Sequence, residues 1–530
     1  MTDRQVSVLI VGAGPTGLVA ANLLGMAGIK TLLVERSSGL SALPRAISID
    51  DEGLRICQSL GLGAEVLAHV RLDVGAKYLS HGRVLVRVVP RKRESGYPLI
   101  STFDQPRLEA ALLAGIQRFP CVEVGFERRL EGFVQTEEGV LASIRTAAGE
   151  LEQVACAYLL GCDGGKSTVR RNLGISLRGR TFPQRWLVVD ALCAERDDAN
   201  HITFFCNPAR PAVSVPAPGE GWRWEFMLLP GEQETWFLDT DNLNQLLQSI
   251  GETRNPRILR QSIYTFHAAC ARVFATGRVF LLGDAAHLLP PFGGQGMNCG
   301  LRDAQNLVWK LASVLNKQAH PTLLSTYQQE RIQDAKQMLR LSTFLGRVVM
   351  PTSRLLALAR DYLLRFLCLL PPVALALTEM RIKPDSYYKR GLRLTDGSRL
   401  SASYAGRLLP QPRVLGSEGD MTLLDELLGS GFALLRLSAD PATAFDPLRS
   451  DIWQKLKPRY LCLVPAAGRS SLEIAQDVTY AFDKNGEIAH FLRGRQDLFV
   501  LVRPDHYICG VFHAKRELVF ARKLQKYLSV

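Results

Sequence analysis

The sequence has no closely spaced pair of cysteines, although eleven cysteine residues are spread over its 530 positions. Disulfide-stabilised domains and structural zinc sites normally contain such pairs, so both classes are disfavoured and we expect no metal site. A basic segment followed by an apolar segment and a cleavage site is also missing near the N-terminus. We therefore expect a cytoplasmic protein in a reducing compartment.

Long hydrophobic runs are scarce. The most apolar stretch, residues 363–377, is shorter than a bilayer span and is interrupted by Arg365 and by the pair Pro371-Pro372. We expect a buried or interface helix there, with a helix on a membrane surface as the alternative, and no integral membrane association.

The charge is strongly basic, with a net value of +13, but no nucleic-acid signature accompanies it. The tightest basic run, Arg91-Lys92-Arg93, leads into an acidic residue and a turn, and no aromatic side chain is interleaved with it. We expect the charge to favour anionic small molecules. Nucleic acid is a weak alternative, and no nucleic-acid partner is predicted.

The organisation along the chain indicates several domains, because 530 residues correspond to roughly three units. Apolar residues make up 47%, which is ample for several cores. Strand–helix–strand patterns alternate with short antiparallel-type strands, and no internal repeat is recognised. We predict a discontinuous α/β domain with an inserted, mainly antiparallel sheet, then a helical segment with a linker, then a second α/β domain: residues 1–75, 101–180 and 269–345; 76–100 and 181–268; 346–412; and 413–530.

The first motif is "GAGPTG", residues 12–17, which follows an apolar strand and opens a predicted helix. Gly12 permits a tight turn, Gly14 lets the backbone approach a pyrophosphate, and Gly17 allows close helix–strand packing. An acidic residue at the end of the next strand is placed to bind ribose hydroxyls. The pattern predicts a dinucleotide site, with a glycine-rich turn lacking a ligand as the alternative. Its residues are Gly12, Gly14, Pro15, Thr16, Gly17, Glu35 and Arg36.

Two further motifs decide which dinucleotide is bound. They are "YLLGCDGGKSTVRR" at residues 158–171 and "RVFLLGDAAHLLPPFGGQGMNCGLRDA" at residues 278–304. With the glycine fingerprint, their order resembles the flavoprotein aromatic hydroxylases of the para-hydroxybenzoate hydroxylase type. The resemblance covers about residues 1–345. It implies FAD in a Rossmann-like domain, whereas the inserted antiparallel sheet would bind substrate.

The resemblance also implies roles for single residues. Glu35 would bind the adenosine ribose, and Arg45 would lie near the pyrophosphate and the path of the nicotinamide cofactor. Gln105 would contact the ribityl and phosphate region, and Asp284 would hydrogen-bond the ribityl chain. Asp163 and Gly164 would form the family's DG motif.

The segment after Asp284 would wrap the isoalloxazine ring. Glycines let a main chain approach a flat ring, and free N–H groups at a helix start can face the flavin where charge collects on reduction. The residues implied are Pro291, Gly293, Gly294, Gln295, Gly296, Met297 and Asn298. No side chain is assigned as catalytic, and Arg45, Pro291 and Gly293 are expected nearest the reacting flavin. His287 is interpreted as a structural histidine, with a catalytic base as the weaker alternative.

The substrate side is less defined by sequence. Residues 218–232 resemble a strand of the substrate sheet in relatives that hydroxylate phenylpropionates and polyketides. Trp186, Phe204 and Trp224 are candidate pocket residues, although packing of the sheet explains them equally well.

The C-terminal region, around residues 423–437 and 498–510, resembles the thioredoxin-like tail of phenol and phenylpropionate hydroxylases. Cys462 and Cys509 stand alone, so we expect a structural or dimerisation module and not a disulfide oxidoreductase.

The resemblance implies an FAD-dependent monooxygenase that hydroxylates a phenolic substrate. NADH or NADPH and O2 would be consumed through a flavin C4a-hydroperoxide. The sequence does not fix the oligomeric state, and a homodimer is left open. Three alternatives stay open at this point: a flavin-dependent epoxidase, a flavin dehydrogenase, and a non-catalytic flavin-binding protein.

Overall fold

The computed structural model describes residues 4–194, 200–465 and 477–528. Strands occur in three groups along the chain. The first group is β1 (Arg4–Val11), β2 (Thr31–Val34), β3 (Ser48–Ile49), β4 (Val70–Arg71), β5 (Gly75–Ser80), β6 (Arg83–Val88), β7 (Ser101–Phe103), β8 (Val122–Gly125), β9 (Arg129–Gln135), β10 (Val140–Arg145) and β11 (Leu151–Gly161). The second group is β12 (Leu177–Leu192), β13 (His201–Phe205), β14 (Ala212–Pro216), β15 (Gly221–Met227), β16 (Arg257–Ala271), β17 (Ala275–Thr276), β18 (Val279–Leu281) and β19 (His287–Leu288). The third group is β20 (Leu394–Thr395), β21 (Arg413–Gly416), β22 (Met421–Leu423), β23 (Ala433–Leu437), β24 (Arg459–Pro465), β25 (Val478–Asp483), β26 (Leu498–Val502) and β27 (Ile508–His513).

Helices connect and cover these strands. Before residue 250 they are α1 (Pro15–Met26), α2 (Asp51–Ser59), α3 (Gly63–Leu67), α4 (Gln105–Ile116), α5 (Thr168–Asn172), α6 (Glu234–Phe237) and α7 (Thr240–Ser249). After it come α8 (Gln295–Leu315), α9 (Ser325–Val349), α10 (Arg354–Cys368), α11 (Pro371–Thr378), α12 (Arg399–Tyr404), α13 (Leu424–Leu428), α14 (Ile452–Leu456), α15 (Glu487–Phe491) and α16 (Glu517–Leu524). Short 3₁₀ turns occur at Gly283–Ala285, Pro291–Gly293, Pro321–Leu324 and Ala514–Arg516.

The first sheet has the order β17-β18-β11-β1-β2-β8, with β10 and β9 added beside β11. Its central strand β1 runs parallel to both β2 and β11, and Val8, Leu9 and Ile10 are completely buried. Such continuous apolar runs are typical of parallel strands covered on both faces. The helix α1 begins at a proline, whose fixed φ suits the first helical turn. The predicted strand–helix–strand unit is confirmed.

The second sheet has the order β19-β16-β12-β15-β14-β13-β5-β6. Its neighbouring strands run antiparallel except for the pair of β5 and β13. One face packs on α6 and α7 through Trp224, Phe226 and Leu243. The opposite face looks toward the carboxyl ends of the parallel strands, and this arrangement positions the site described below.

The third sheet has the order β20-β27-β26-β23-β24-β25-β21-β22. The segment 346–412, expected to be helical with a linker, contributes to it, because Leu394 in β20 pairs with Gly510 in β27. Both Leu392 and Leu394 are buried. A two-residue strand carries no period that sequence reading can detect, and its partner lies more than a hundred residues further along the chain.

We expected one buried or interface helix at residues 363–377. The structure instead divides this apolar stretch between α10 and α11. The inner faces of these helices cover a cavity, whereas Leu363 is 56% exposed and Phe366 is 61% exposed. Among the described residues no single helix is long and apolar enough to cross a membrane. Only α10 and α11 together pass that test, as a pair bent by 108°.

One buried carboxylate joins the first and third sheets. Glu330 in α9 accepts hydrogen bonds from Asn306 and Lys310 of α8, each at 2.6 Å, and from both terminal nitrogens of Arg503 at 2.9 Å. The backbone N–H of Leu392 donates a further bond at 2.8 Å. Burial alone would raise the pKa of Glu330, but Arg503 and Lys310 lower it to about 2.

We expect Glu330→Gln to destabilise the protein by about 3–5 kcal/mol, because it leaves buried cations without a counter-charge. The folded pKa lies below that of the unfolded chain, so this stabilisation is present above about pH 4.5 and is lost as the pH falls toward 2. Urea unfolding at several pH values measures both effects. The exposed Glu138→Gln is the control and should change stability by less than about 0.5 kcal/mol. Equal stability of the two variants at neutral pH would contradict the role of Glu330.

Candidate active site

A cavity of about 580 Å³ lies between the carboxyl ends of the first sheet, the open face of the second sheet, and helices α9 to α11. Most residues named from the sequence line it. They are Gly12, Gly14, Pro15, Thr16, Glu35, Arg36, Arg45, Gln105, Asp163, Gly164, Phe204, Asp284, Pro291, Gly293, Gly294, Gln295, Gly296, Met297 and Asn298. Three others, Gly17, Trp186 and Trp224, do not line it.

The glycine loop forms one end of the cavity. Gly12 has a φ of +107°, and a β-carbon there would collide with the carbonyl oxygen of Cys162, so only glycine fits. Gly14 is open, since a β-carbon there would meet nothing within 4 Å. Gly17 lies behind the loop, where any side chain would collide with the carbonyl of Gly12. The Glu35 carboxylate accepts a hydrogen bond of 3.0 Å from the backbone N–H of Ala13.

The DG motif stands beside this loop. One carboxylate oxygen of Asp163 accepts hydrogen bonds from the N–H groups of Thr168 at 2.6 Å and Val169 at 3.1 Å, at the start of α5. Its other oxygen is buried and has no partner among the described residues. Arg170 donates to the carbonyl of Ala285 at 3.0 Å, which ties this motif to the turn that carries Asp284.

The GD turn is held from behind by Asp303 of α8. Its carboxylate accepts hydrogen bonds from the Gly283 N–H at 3.0 Å, from His287 Nε2 at 2.7 Å and from Arg331 Nε at 2.7 Å. Burial raises the pKa of Asp303, but His287 and Arg331 outweigh it and keep that pKa below its ordinary value. His287 is completely buried and does not line the cavity, which supports the structural interpretation of this histidine. Sequence reasoning missed Asp303 and Arg331, although a charged pair on the inner faces of two helices could have indicated them.

Asp284 itself points the other way, into the cavity. Its carboxylate has no hydrogen-bond partner in the part of the chain that the structure describes. The enclosing protein raises its pKa by removing water, while His287 and Arg45 act in the opposite direction. The carboxylate is therefore free to accept hydrogen bonds from a ligand.

The turn before α8 presents backbone to the cavity. Gly294 is left-handed, with a φ of +62°, and a β-carbon there would lie 2.8 Å from Cβ of Ser48. The side chains that follow are used within the protein. Gln295 accepts a bond from Arg302 at 2.8 Å, and Asn298 donates to the Gly294 carbonyl at 2.8 Å. The first turn of α8 has no side-chain cap, so its N–H groups stay available to a ligand.

Gln105 holds the backbone of a neighbouring loop, a role that the sequence did not indicate. Its side-chain oxygen accepts hydrogen bonds from the backbone N–H groups of Arg45 at 2.7 Å and Ala46 at 2.6 Å. Its amide nitrogen donates to Glu109 at 2.7 Å. The side chain therefore positions the loop of Arg45, and its contact with a ribityl chain stays a prediction.

The same loop is held from the second sheet by residues that sequence reasoning overlooked. Arg223 donates to the carbonyls of Pro44 at 2.7 Å and Arg45 at 3.1 Å. Its Nε is paired with Asp190 at 2.6 Å, and Arg260 also reaches the Pro44 carbonyl at 3.0 Å. The alternation in "GWRWEFM" carries the signal, because side chains two residues apart share one face of a strand.

Two candidate pocket residues are corrected by the structure, Trp224 by this alternation and Trp186 by its packing. Trp224 is completely buried and stacks on Trp222 on the far face of β15, since it alternates with the cavity-facing Arg223. Trp186 is also buried, with its ring 5.7 Å from that of Phe292, which separates it from the cavity. Phe204 does line the cavity and stacks on Tyr78 with ring centroids 4.7 Å apart.

Around Phe204 the cavity has two mostly apolar walls, one formed by the second sheet and one by helices α9 to α11. The sheet contributes Ala76, Tyr78, Val86, Val88, Ile202, Phe204, Val213 and Val215. Helices α9 to α11 contribute Phe344, Leu345, Val348, Leu364, Leu367 and Leu377, and Met380 follows α11. Such a lining suits a flat apolar ligand and keeps water away from it.

A family model described as the FAD binding domain matches residues 5–342. The chain belongs to this FAD-binding family. A second model, the HcaD C-terminal domain, matches residues 406–527. The 3-(3-hydroxy-phenyl)propionate/3-hydroxycinnamic acid hydroxylases of Escherichia coli (strain K12) and Shigella sonnei (strain Ss046) are 38% identical over 514 residues, which are 96% of this chain and 92% of each relative.

Solved structures of similar fold include flavin-dependent enzymes. The flavin-dependent monooxygenase PieE, in complex with FAD and substrate, has a TM-score of 0.82 and 24% identity, covering 99% of this chain and 100% of that one. Anhydrotetracycline hydroxylase OxyS from Streptomyces rimosus has a TM-score of 0.75 and 25% identity, covering 99% of each chain. The family resemblance drawn from the three motifs is confirmed, and so is the mixed α/β fold with several sheets.

The residues of this chain fit FAD. The open backbone at Gly14 suits a diphosphate, and the unpartnered oxygen of Asp163 and the free carboxylate of Asp284 suit hydroxyl donors. The uncapped start of α8 suits the electron-rich edge of the ring.

We expect Asp284→Asn to weaken FAD binding about 10- to 100-fold, because hydrogen bonds to a charged acceptor are lost, at about 1.5–3 kcal/mol each. Flavin fluorescence during dialysis against buffer measures the retention of FAD. Asp420→Asn, an exposed change in the third sheet region, is the matched control and should retain FAD as the unchanged protein does. Equal retention by both variants would contradict the assignment of Asp284.

Proposed function

We propose that the chain is an FAD-dependent monooxygenase that hydroxylates a phenolic ring with NADH or NADPH as reductant and O2 as the oxygen donor. One observation carries the proposal. A single cavity runs from the glycine loop to the apolar face of the second sheet, with Pro291 and Gly293 between the two ends. A cofactor held at the first end would thus meet an aromatic ligand held at the second. The hydroxylase names of the 38% identical relatives support a phenolic acid as substrate.

The chain's own residues bind, orient and exclude water. The FAD, when bound, accepts hydride and activates oxygen. The glycine loop and the start of α1 would take the diphosphate, and Glu35 would take the adenosine ribose. Asp284 would hold the ribityl hydroxyls, while the N–H groups at the start of α8 would stabilise negative charge near the ring. The apolar walls would keep water from the reacting atoms.

The reductant would approach by the loop of Arg45. This side chain is exposed, and its backbone is fixed from two directions by Gln105 and Arg223. A cation on a positioned loop suits the phosphates of a transient nicotinamide nucleotide. Epoxidation and dehydrogenation on the same scaffold are not favoured by the relatives, which are named as hydroxylases.

The C-terminal unit is proposed to be thioredoxin-like and structural. Its central order β24-β23-β26-β27, with β26 antiparallel to β23, supports a thioredoxin-like core. Burial raises the pKa of Cys462 to about 11 and that of Cys509 to about 12, which opposes a redox role. A cytoplasmic location is supported by eleven cysteines that are all free. The homodimer that the sequence left open stays an untested expectation.

The test is turnover by the purified holoenzyme. We expect 3-(3-hydroxyphenyl)propionate or a related phenol to accelerate oxidation of NADH or NADPH, measured at 340 nm. With ¹⁸O₂, the product should gain one labelled oxygen atom by mass spectrometry, whereas ¹⁸O-water should label nothing. A product without added oxygen would assign a dehydrogenase and overturn the proposal, as would a protein that takes up no FAD.

A further inference from the structure

One carboxyl group in the apolar end of the cavity has no partner. Glu225 lies on β15 and is 8% exposed, and it lines the cavity on the same face as Arg223. Its neighbours across the sheet are Val188 on β12 and Val213 on β14, which offer no polar group. Among the described residues nothing hydrogen-bonds to it or pairs with it.

The nearby cation is already engaged. Arg223 directs Nε to Asp190 and its two terminal nitrogens to the carbonyls of Pro44 and Arg45. Three of its five N–H groups are used in these bonds, one on Asp190 and two on the loop, and no hydrogen bond or ion pair joins Arg223 to Glu225. Burial raises the pKa of Glu225 and Asp190 raises it further, while Arg223 only partly opposes them.

A buried carboxyl without a partner destabilises a protein, because it loses water and gains no hydrogen bond in return. Beyond Arg223 and its partners, the sheet face toward β14, β13 and β5 is built of valine, isoleucine and aromatic side chains, so an apolar residue would also suit position 225. A polar group in an apolar wall is what fixes the orientation of a bound ligand.

We propose that Glu225 determines substrate specificity by accepting a hydrogen bond from the hydroxyl group of the aromatic substrate, whose ring lies against Phe204 and Val213. The inference rests on the proposed function and adds one specific contact between the protein and the substrate. A ligand must present a donor to Glu225, and it must direct any carboxylate of its own away from this site. The hydrogen bond also orients the ring. It raises the electron density on the hydroxyl oxygen and, by conjugation, on the ring, which favours attack by an electrophilic oxygen.

The experiment measures binding without turnover. Holoenzyme is titrated, in the absence of NADH and NADPH, with 3-(3-hydroxyphenyl)propionate and with 3-phenylpropionate, which differ only in the hydroxyl group. The change in flavin absorbance reports the Kd. We expect the unchanged enzyme to bind the hydroxylated ligand with a Kd at least 10-fold lower. Glu225→Leu should abolish this preference by raising the Kd of the hydroxylated ligand only. Glu225→Gln, whose amide oxygen still accepts a hydrogen bond, should keep part of it.

Two controls separate a specificity role from a structural one. Glu220→Gln, an exposed change beside the same strand, should leave both Kd values unchanged. The Tm of Glu225→Gln and Glu225→Leu should equal or exceed that of the unchanged enzyme, because each removes an unpartnered buried carboxyl. A lowered Tm with unaltered ligand preference would assign Glu225 to the fold and overturn the inference.

The outcomes also separate this inference from the proposed function. If the unchanged enzyme binds neither ligand and no phenol accelerates NADH or NADPH oxidation, the proposed function fails. If it binds and hydroxylates a phenol, and Glu225→Leu keeps the same preference for the hydroxyl group, only the role of Glu225 fails.

Discussion

The buried carboxylate of Asp303 fixes the geometry on which the rest of the site depends. It accepts bonds from the turn at Gly283, from His287 and from Arg331, so one side chain of α8 holds the GD turn and the next helix together. Because the turn is pinned from behind, Asp284 can face the cavity without a protein partner. The same link sets α9, whose Phe344 and Leu345 form part of the apolar wall. The glycine-loop end and the apolar end of the cavity are therefore aligned by one interaction that lies outside the cavity lining.

Carboxylates that join structural units differ in their partners from carboxylates that line the cavity. Buried ions that join structural units are paired, as Glu330 is with Lys310 and Arg503. Among the described residues, Asp284 and Glu225 have no such partner, and both line the cavity. Asp284 is exposed to the cavity, whereas Glu225 is buried, and a protein of marginal stability keeps an unpaired buried carboxyl only where another requirement opposes its removal. The contrast between paired and unpaired carboxylates thus separates the groups that maintain the fold from those that are available to ligands.

The cofactor end could be predicted from sequence because its determinants are local. At Gly12 the turn admits no side chain, and the spacing to Glu35 follows from one strand–helix–strand unit. The substrate end could not, because the face to which a residue points depends on strand register. A one-residue difference separates Trp224, packed on the far face, from Glu225 in the cavity. Aromatic and charged residues alternate on β15, and the sequence alone does not tell which set faces the cavity. The support from Asp303 arises from pairing between helices that no local pattern encodes.

The two ends of the cavity are also joined through a single strand. Arg223 holds the backbone of the loop that carries Arg45, and Glu225 lies two residues further along the same face, about 7 Å away by the rise of a strand. A ligand that reaches Glu225 therefore lies beside the guanidinium that positions Arg45. Since Asp190 and Arg260 complete the same cluster, the loop rests on the second sheet as well as on Gln105 at the start of α4. On the proposed function, contact with the substrate and placement of the cationic loop are properties of one surface of β15, on which Arg223 and Glu225 alternate with two tryptophans.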